Sequence, residues 1–160
     1  MYPVLLNLQK RPVLVVGGGK IAARKINVLV QQGAVITVIA PELSPLIDVT
    51  MVYWINKQFE PRDLEGYSLV FACTDQVVVN NSIKALAKVN HWVNHTGDKY
   101  NSDFYNMKVI DVSGVLFAIS TKGYSAQLAK IIGESLEIWA QENVPKLIHD
   151  TEMRQNDGID

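Results

Sequence analysis

The chain has 160 residues, 48% apolar and 19% charged, with 15 Lys and Arg against 16 Asp and Glu. That length suits one compact domain, alone or with a small appendage, and the apolar share excludes a disordered chain. The balanced charge argues against a nucleic-acid partner, which calls for a basic stripe. The lone Cys73 excludes an internal disulfide and a Cys-rich zinc centre, so no metal site is expected. The longest apolar runs are too short for a membrane span, and Met1 to Asn7 lack a signal-peptide pattern, so the expectation is a soluble cytoplasmic protein with no membrane partner.

Val13-Leu14-Val15-Val16 is wholly apolar, as expected of a strand buried on both faces of a parallel sheet. Gly17-Gly18-Gly19 breaks it, and Ala22, Ile26, Leu29 and Val30 then recur at helical spacing up to a stop at Gly33. Val35 to Ile39 is a second strand, completing a right-handed βαβ unit. Tyr53 to Ile55 follows as a strand, Phe59 to Leu64 as a turn into a short helix, and Leu69 to Cys73 as another buried strand. Asp75 can cap a helix whose face is Val79, Ile83, Leu86 and Ala87, and His91 to Asn94 is the next strand. This β/α alternation predicts an α/β fold, a Rossmann-type parallel sheet.

The character changes near residue 100. Phe104 to Ile110 and Val115 to Ser120 are expected as a hairpin closed by Asp111-Val112-Ser113-Gly114. Ala129, Ile132, Leu136 and Ala140 mark an amphipathic helix, and from Pro145 the chain turns polar, with at most a short helix and a loose end. The expected organisation is therefore a nucleotide-binding Rossmann-type domain over 1–112, a small α+β dimerisation and substrate region over 113–145, and a polar tail over 146–160. A two-stranded hairpin is marginal by itself, which points to a homodimer.

Gly17-Gly18-Gly19-Lys20-Ile21-Ala22 fits G-x-G-x-x-A between strand and helix. The first glycine permits the tight turn, Gly19 lets backbone approach a pyrophosphate, and Ala22 allows close packing of helix on strand. The helix N-terminus adds free N–H groups and about half a positive charge. The acidic residue that ends the second strand of many NAD sites is missing, since Ala40 and Pro41 stand there. Glu42 either substitutes for it from the loop or is a solvated charge. Thr74 and Asp75 follow the strand ending at Cys73, on the edge where cofactors bind, though Asp75 also suits a helix cap. Ser120, Thr121, Lys122 and Gly123 lead into a helix N-terminus, a turn suited to carboxylates. His95 has a structural or exposed role as its plain alternative to an acid–base one, and Cys73 is expected to be a buried strand residue.

Several segments, in order, are similar to the precorrin-2 dehydrogenases, the N-terminal domains of siroheme synthases. They are Tyr2-Pro3-Val4, Leu6-Asn7-Leu8, the triple glycine with Ala22-Ala23-Arg24-Lys25, Val38-Ile39-Ala40-Pro41, Ala72-Cys73-Thr74-Asp75 with Asn80, Val93-Asn94, Asp103-Phe104, and Ala118-Ile119-Ser120-Thr121 with Gly123 and Leu128-Ala129. The resemblance spans about residues 2 to 142. It implies NAD-dependent oxidation of precorrin-2 to sirohydrochlorin in siroheme biosynthesis, with a tetrapyrrole substrate and an intertwined homodimer. It also implies cofactor contacts from Gly17, Gly18, Gly19, Lys20, Ile21, Ala22, Ala40, Pro41, Thr74 and Asp75, and substrate contacts from Asn94, Ser120, Thr121, Lys122 and Gly123.

The family's acid pair is where this chain departs. In the run Asn94-His95-Thr96-Gly97-Asp98, Gly97 holds the position of the first, catalytic Asp, and Asp98 matches the second. Asp98 is therefore the candidate catalytic residue, with a solvated loop carboxylate as the alternative. A sirohydrochlorin ferrochelatase and a non-catalytic NAD-sensing module are the competing functions.

Overall fold

The computed structural model describes residues 1–156. It divides into two compact units, Met1–Tyr105 and the residues from Asn106 onward. The expected boundary after residue 112 would have split the hairpin; the observed one keeps both of its strands together.

The first unit is built on five parallel strands, β1 (Pro12–Val16), β2 (Val35–Ile39), β3 (Tyr53–Ile55), β4 (Leu69–Ala72) and β5 (Trp92–His95), in the order β3-β2-β1-β4-β5. Strand side chains alternate between faces, so β1 feeds two separate cores. Val13 and Val15 pack with Ala22, Ala23, Ile26 and Leu29 of α1 (Lys20–Gln31), together with Ile36, Val38 and Phe71. Leu14 and Val16 pack on the other face with Leu64, Val70, Val93 and Ile83 of α2 (Val77–Leu86). Helices on both faces explain why these strands read as unbroken apolar runs rather than alternating ones. After β1 the chain builds β2 and β3 on one side, then returns to place β4 and β5 on the other. That reversal creates a crevice beyond the carboxyl ends of β1 and β4, where ligands bind in open α/β sheets.

Two expectations in this unit need correction. Asp75 does not cap α2: the helix begins at Val77 after Gln76, and no side chain caps it. The strand expected from Phe104 begins only at Lys108, because Phe104 packs edge-on against Phe71, with ring centroids 5.3 Å apart.

The second unit is an antiparallel hairpin, β6 (Lys108–Val112) and β7 (Val115–Ile119), with the long helix α3 (Ala126–Asn156). Ser113 and Gly114 close the hairpin with φ of 54° and 81°, the pair of left-handed residues that matches strand twist in a two-residue turn. The Gly114 N–H donates to Asp111 Oδ1 at 3.2 Å. The helix does not stop at Pro145. Proline removes one backbone donor, but Ala140 and Val144 are buried and Thr151 bonds back to the Leu147 carbonyl at 2.7 Å, so helix persists on both sides. The expected polar tail is thus helical up to Asn156, and its last four residues lie outside the described ones. Among the described residues no helix is long and apolar enough to cross a membrane.

Leu14 and Ile83 are fully buried on the α2 face. Leu14→Ala or Ile83→Ala is expected to destabilise the protein by about 3 kcal/mol, the cost of deleting a large core side chain into a packed site. A urea titration followed by circular dichroism reads this as a lower midpoint with little change in slope.

Candidate functional site

The three glycines after β1 serve three purposes. At Gly17 the chain turns with φ of 113°, and a Cβ there would lie 2.6 Å from the Cys73 carbonyl oxygen. Gly18 faces the loop after β2: its Cβ would meet the Glu42 carbonyl oxygen at 2.0 Å, and the Ser44 N–H donates to the Gly18 carbonyl at 2.7 Å. Gly19 is different, because an added Cβ would meet nothing within 4 Å. It is the glycine facing open space, directly before α1, whose first turn has neither a side-chain cap nor an acidic residue. Uncapped amide N–H groups and the positive end of the helix dipole suit an anion there. Ala22 is fully buried and Lys20 and Ile21 are exposed, so the helix packs by one face and offers the other. Ala40 is buried and its carbonyl accepts from Trp54 Nε1 at 2.9 Å, while Pro41 and Glu42 are exposed beside it.

On the other side of the crevice, Asn80 secures the end of β4. Its Oδ1 accepts from the Thr74 N–H at 3.1 Å and its Nδ2 donates to the Thr74 carbonyl at 2.9 Å, mimicking a strand partner. Thr74 Oγ1 donates to the same Oδ1 at 2.8 Å. This buried side chain leaves Asp75 exposed at the turn. Asn94, also buried, donates through Nδ2 to the Phe104 carbonyl at 2.8 Å. Asp98 is half-buried and its Oδ1 accepts from the Tyr100 N–H at 2.9 Å, capping the short turn at Lys99–Asn101. Asp103 Oδ2 accepts from the Val93 N–H at 2.8 Å, and its other oxygen pairs with Lys84 at 2.6 Å.

Cys73 sits between these loops. Burial pushes its thiol up to about 12, against the opposing pull of Lys25 and a hydrogen bond with Thr96. Burial also holds the Lys25 ammonium below the usual lysine range, and that side chain lies over the Phe71 ring at 5.9 Å from its centroid. Cys73 is thus a packed thiol, as expected, and not a nucleophile.

The first unit therefore gathers Gly17 to Ala22, Ala40, Pro41, Thr74, Asp75, Asn94 and Asp98 at the carboxyl edge of one sheet. Ser120 to Gly123 belong to the second unit, where they form a self-bonded turn. Ser120 Oγ accepts from the Lys122 N–H at 3.1 Å, Thr121 Oγ1 accepts from the Ser125 N–H at 3.1 Å, and Lys122 holds φ of 51°. Ser125 Oγ in turn accepts from the Leu128 N–H at 3.1 Å in the first turn of α3. Sequence reasoning missed the fastening role of Asn80. It lies within α2 and meets the end of β4 only through the fold, which sequence spacing alone does not reveal. Among the described residues no group of three or more His, Cys, Asp or Glu is placed to hold a metal ion.

Residues 4–107 match a family model described as putative NAD(P)-binding. A solved structure of SirC, a precorrin-2 dehydrogenase, superposes with a TM-score of 0.78 at 33% identity, covering 88% of this chain and 74% of that one. The chain belongs to the precorrin-2 dehydrogenase family. The siroheme synthase of Zymomonas mobilis is 33% identical over 150 residues, 91% of this chain and 32% of that protein. The siroheme synthase of Baumannia cicadellinicola is 38% identical over 140 residues, 84% of this chain and 30% of that protein. The chain thus spans about a third of the length of these curated relatives. The glycine turn of this family member fits a dinucleotide: Gly19 leaves open the space that a pyrophosphate needs, in front of uncapped N–H groups.

Gly18→Ala is expected to cost about 2 kcal/mol of stability, because the Ala40-to-Ser44 loop must move. Gly19→Ala is expected to unfold at the wild-type urea midpoint yet bind NAD⁺ about tenfold more weakly, by calorimetry, as its methyl enters the phosphate space. Cys73 is expected to resist iodoacetamide at pH 8 in the native protein, since a group titrating near 12 is almost wholly protonated there, and to react once urea exposes it.

Proposed function

We propose that this chain is a cytoplasmic NAD-dependent dehydrogenase that oxidises precorrin-2 to sirohydrochlorin. The observation that carries this reading is the match to a precorrin-2 dehydrogenase over most of both chains, with the glycine turn intact in front of an uncapped helix. Bound NAD⁺ supplies the hydride acceptor. One C–H bond of the reduced macrocycle breaks with its electron pair leaving as hydride, and one proton departs, giving sirohydrochlorin, NADH and H⁺.

The chain's residues bind, orient and collect the proton. Gly17 shapes the turn with its own N–H bonded to Ile39, and backbone N–H groups from Gly18 to Ala22 would hold the pyrophosphate, with Lys20 and Ile21 on the exposed side of the first turn. Ala40 and Pro41 on one side of the crevice, and Thr74 and Asp75 on the other, would line the rest of the dinucleotide site. Taken unit by unit, Asn94 is the substrate contact assigned in the first, and the Ser120-Thr121-Lys122-Gly123 turn is the carboxylate contact assigned in the second. Asp98 is the proton acceptor; one of its oxygens is engaged by the Tyr100 N–H, which keeps the carboxylate at the loop's edge. Gly97 opens space beside it, since a Cβ there would meet only the His95 ring, at 3.4 Å.

Dimerisation through the second unit belongs to the same proposal. Its hairpin and helix expose Val115, Leu116, Ile131, Ile138 and Trp139, and an open apolar hollow of about 410 Å³ lies among Val115, Phe117, Trp139 and Leu147. Apolar surface of this extent on a two-stranded hairpin suits a second copy. The domain roles follow: cofactor binding in the first unit, dimerisation and substrate contacts in the second.

Anaerobic incubation with precorrin-2 and NAD⁺ tests the reading, with NADH and sirohydrochlorin followed together by absorbance. Equimolar appearance of both is expected, and NAD⁺ binding without turnover would refute it. Asp98→Asn is expected to lower kcat about 100-fold, the scale of a lost general base; undiminished turnover would remove Asp98 from that role. Light scattering is expected to give twice the 17.8 kDa chain mass, and a monomer would end the dimer proposal.

A further inference from the structure

The segment that carries Asp98 is wound around a buried imidazole that the mechanism above leaves without a task. His95, the last residue of β5, is 2% exposed. Its Nδ1 accepts from the Gly97 N–H at 3.2 Å, so in the neutral ring that nitrogen carries no proton and Nε2 does. Nε2 lies 3.0 Å from Asn81 Oδ1, a partner to which this tautomer can donate. The backbone of His95 is tied to the same loop. Its N–H donates to Ser102 Oγ at 2.8 Å, and its carbonyl accepts from the Asp98 N–H at 3.2 Å. Ser102 Oγ in turn lies 3.1 Å from the carbonyls of both His95 and Asp98. Between them, the Thr96 N–H and hydroxyl both reach the Ala72 carbonyl, at 3.1 and 2.9 Å, pinning the loop to β4.

We propose that His95, held neutral with its proton on Nε2, is a positioning residue that sets the Thr96-Gly97-Asp98 turn and through it the Asp98 carboxylate. The inference rests on the proton-acceptor role given to Asp98 above. A second ring proton would go to Nδ1, where it would face the Gly97 N–H. Two donors cannot share that bond, so the turn would open and Asp98 would lose its place. The ring's own partners, Asn81 and Gly97, are uncharged. The titratable groups on the elements around it are Asp98, Lys99, Tyr100, Asp103 and Tyr105 from the following loop, Lys84 from α2, and Cys73 at the end of β4. Asp103 and Lys84 are engaged with each other, and Cys73 stays a thiol. Turnover is therefore expected to fall on the acid side as the ring is protonated.

Variants of the full chain test this. His95→Asn keeps a carbonyl oxygen near the Nδ1 position, able to accept from Gly97 but not to be protonated there. His95→Ala removes the acceptor. For His95→Ala, kcat is expected to fall about tenfold, the size of one lost neutral hydrogen bond, while the KM for NAD⁺ stays within about twofold. His95→Asn is expected to recover most of the neutral-pH rate and to lack the acid-side decline of the wild type. Should His95→Ala fail to fold, His95→Asn carries the comparison, with a urea midpoint as its check. Independently of turnover, ¹⁵N–¹H correlation of the imidazole is expected to place the proton on Nε2. The Gly97 amide signal is expected to move as the wild-type ring is protonated and to stay fixed in His95→Asn. Any of three results would overturn the inference: a ring protonated on Nδ1, wild-type kcat and pH profile in a folded His95→Ala, or an unchanged acid-side decline in His95→Asn. If the wild type turns over no precorrin-2, the dehydrogenase reading fails, and the imidazole and Gly97 spectra still decide whether His95 holds the turn.

Discussion

Two neighbouring parallel strands, β1 and β4, end side by side with so little room between them that no side chain fits at Gly17. A Cβ there would stand 2.6 Å from the Cys73 carbonyl, and the chain leaves β1 through a φ of 113° that only glycine adopts at little cost. The Cys73 N–H donates to the Val16 carbonyl at 2.8 Å, and the Gly17 N–H donates to the Ile39 carbonyl at 2.9 Å, so three strands converge on this point. The turn aims the N-terminus of α1 across the carboxyl edge, and Ala22 and Ala23 let that helix lie close against the sheet. Everything proposed about the cofactor depends on this one steric limit. A larger residue at Gly17 would push β1 from β4 and rotate the uncapped N–H groups away from the crevice.

The loops around the crevice share one device, a side chain at a strand end that bonds to backbone. Asn80 holds Thr74, Asn94 holds Phe104, Trp54 holds Ala40, and Thr96 holds Ala72. Among the described residues no buried side-chain nitrogen or oxygen lacks a partner. Buried polar groups are costly when unpaired, and fully paired ones rigidify the backbone they hold. A dehydrogenase gains little from chemically reactive side chains when its cofactor carries the redox step. It gains from loops that do not drift, which is what these amides supply. Gly97 fits this pattern, since its N–H is bonded to a buried histidine.

The second unit shows packing overriding local preference. Proline inside a helix costs about 3 kcal/mol, and Pro145 is the local obstacle to continuing. Ala140 and Val144 are buried all the same, Phe117 and Trp139 meet edge to face at 6.5 Å, and α3 runs through. The helix approaches β6 closely at Gly133, where a Cβ would press on Lys108 at 2.9 Å, a contact that a flexible lysine can yield. A helix boundary placed by residue type alone could not anticipate this, because the stabilising contacts come from a hairpin earlier in the chain.

The sequence by itself determined the parts of this protein that local periodicity encodes. The apolar runs within Val13 to Val16, Ile36 to Ile39 and Val70 to Ala72 are strands because both sheet faces are covered, and that burial leaves its mark along each run. Ser113-Gly114 specifies its hairpin turn by backbone preference, and the glycines at 17 and 19 specify a phosphate-binding turn by the lack of a side chain. Only the tertiary structure decided which loop presses on Gly18, that Asn80 rather than Asp75 organises the end of β4, that Phe104 leaves the hairpin for Phe71, and that His95 serves the Asp98 turn. Most of these depend on which strand ends lie beside each other. Strand order brings together residues far apart in the chain, and periodicity, being local, carries no record of it.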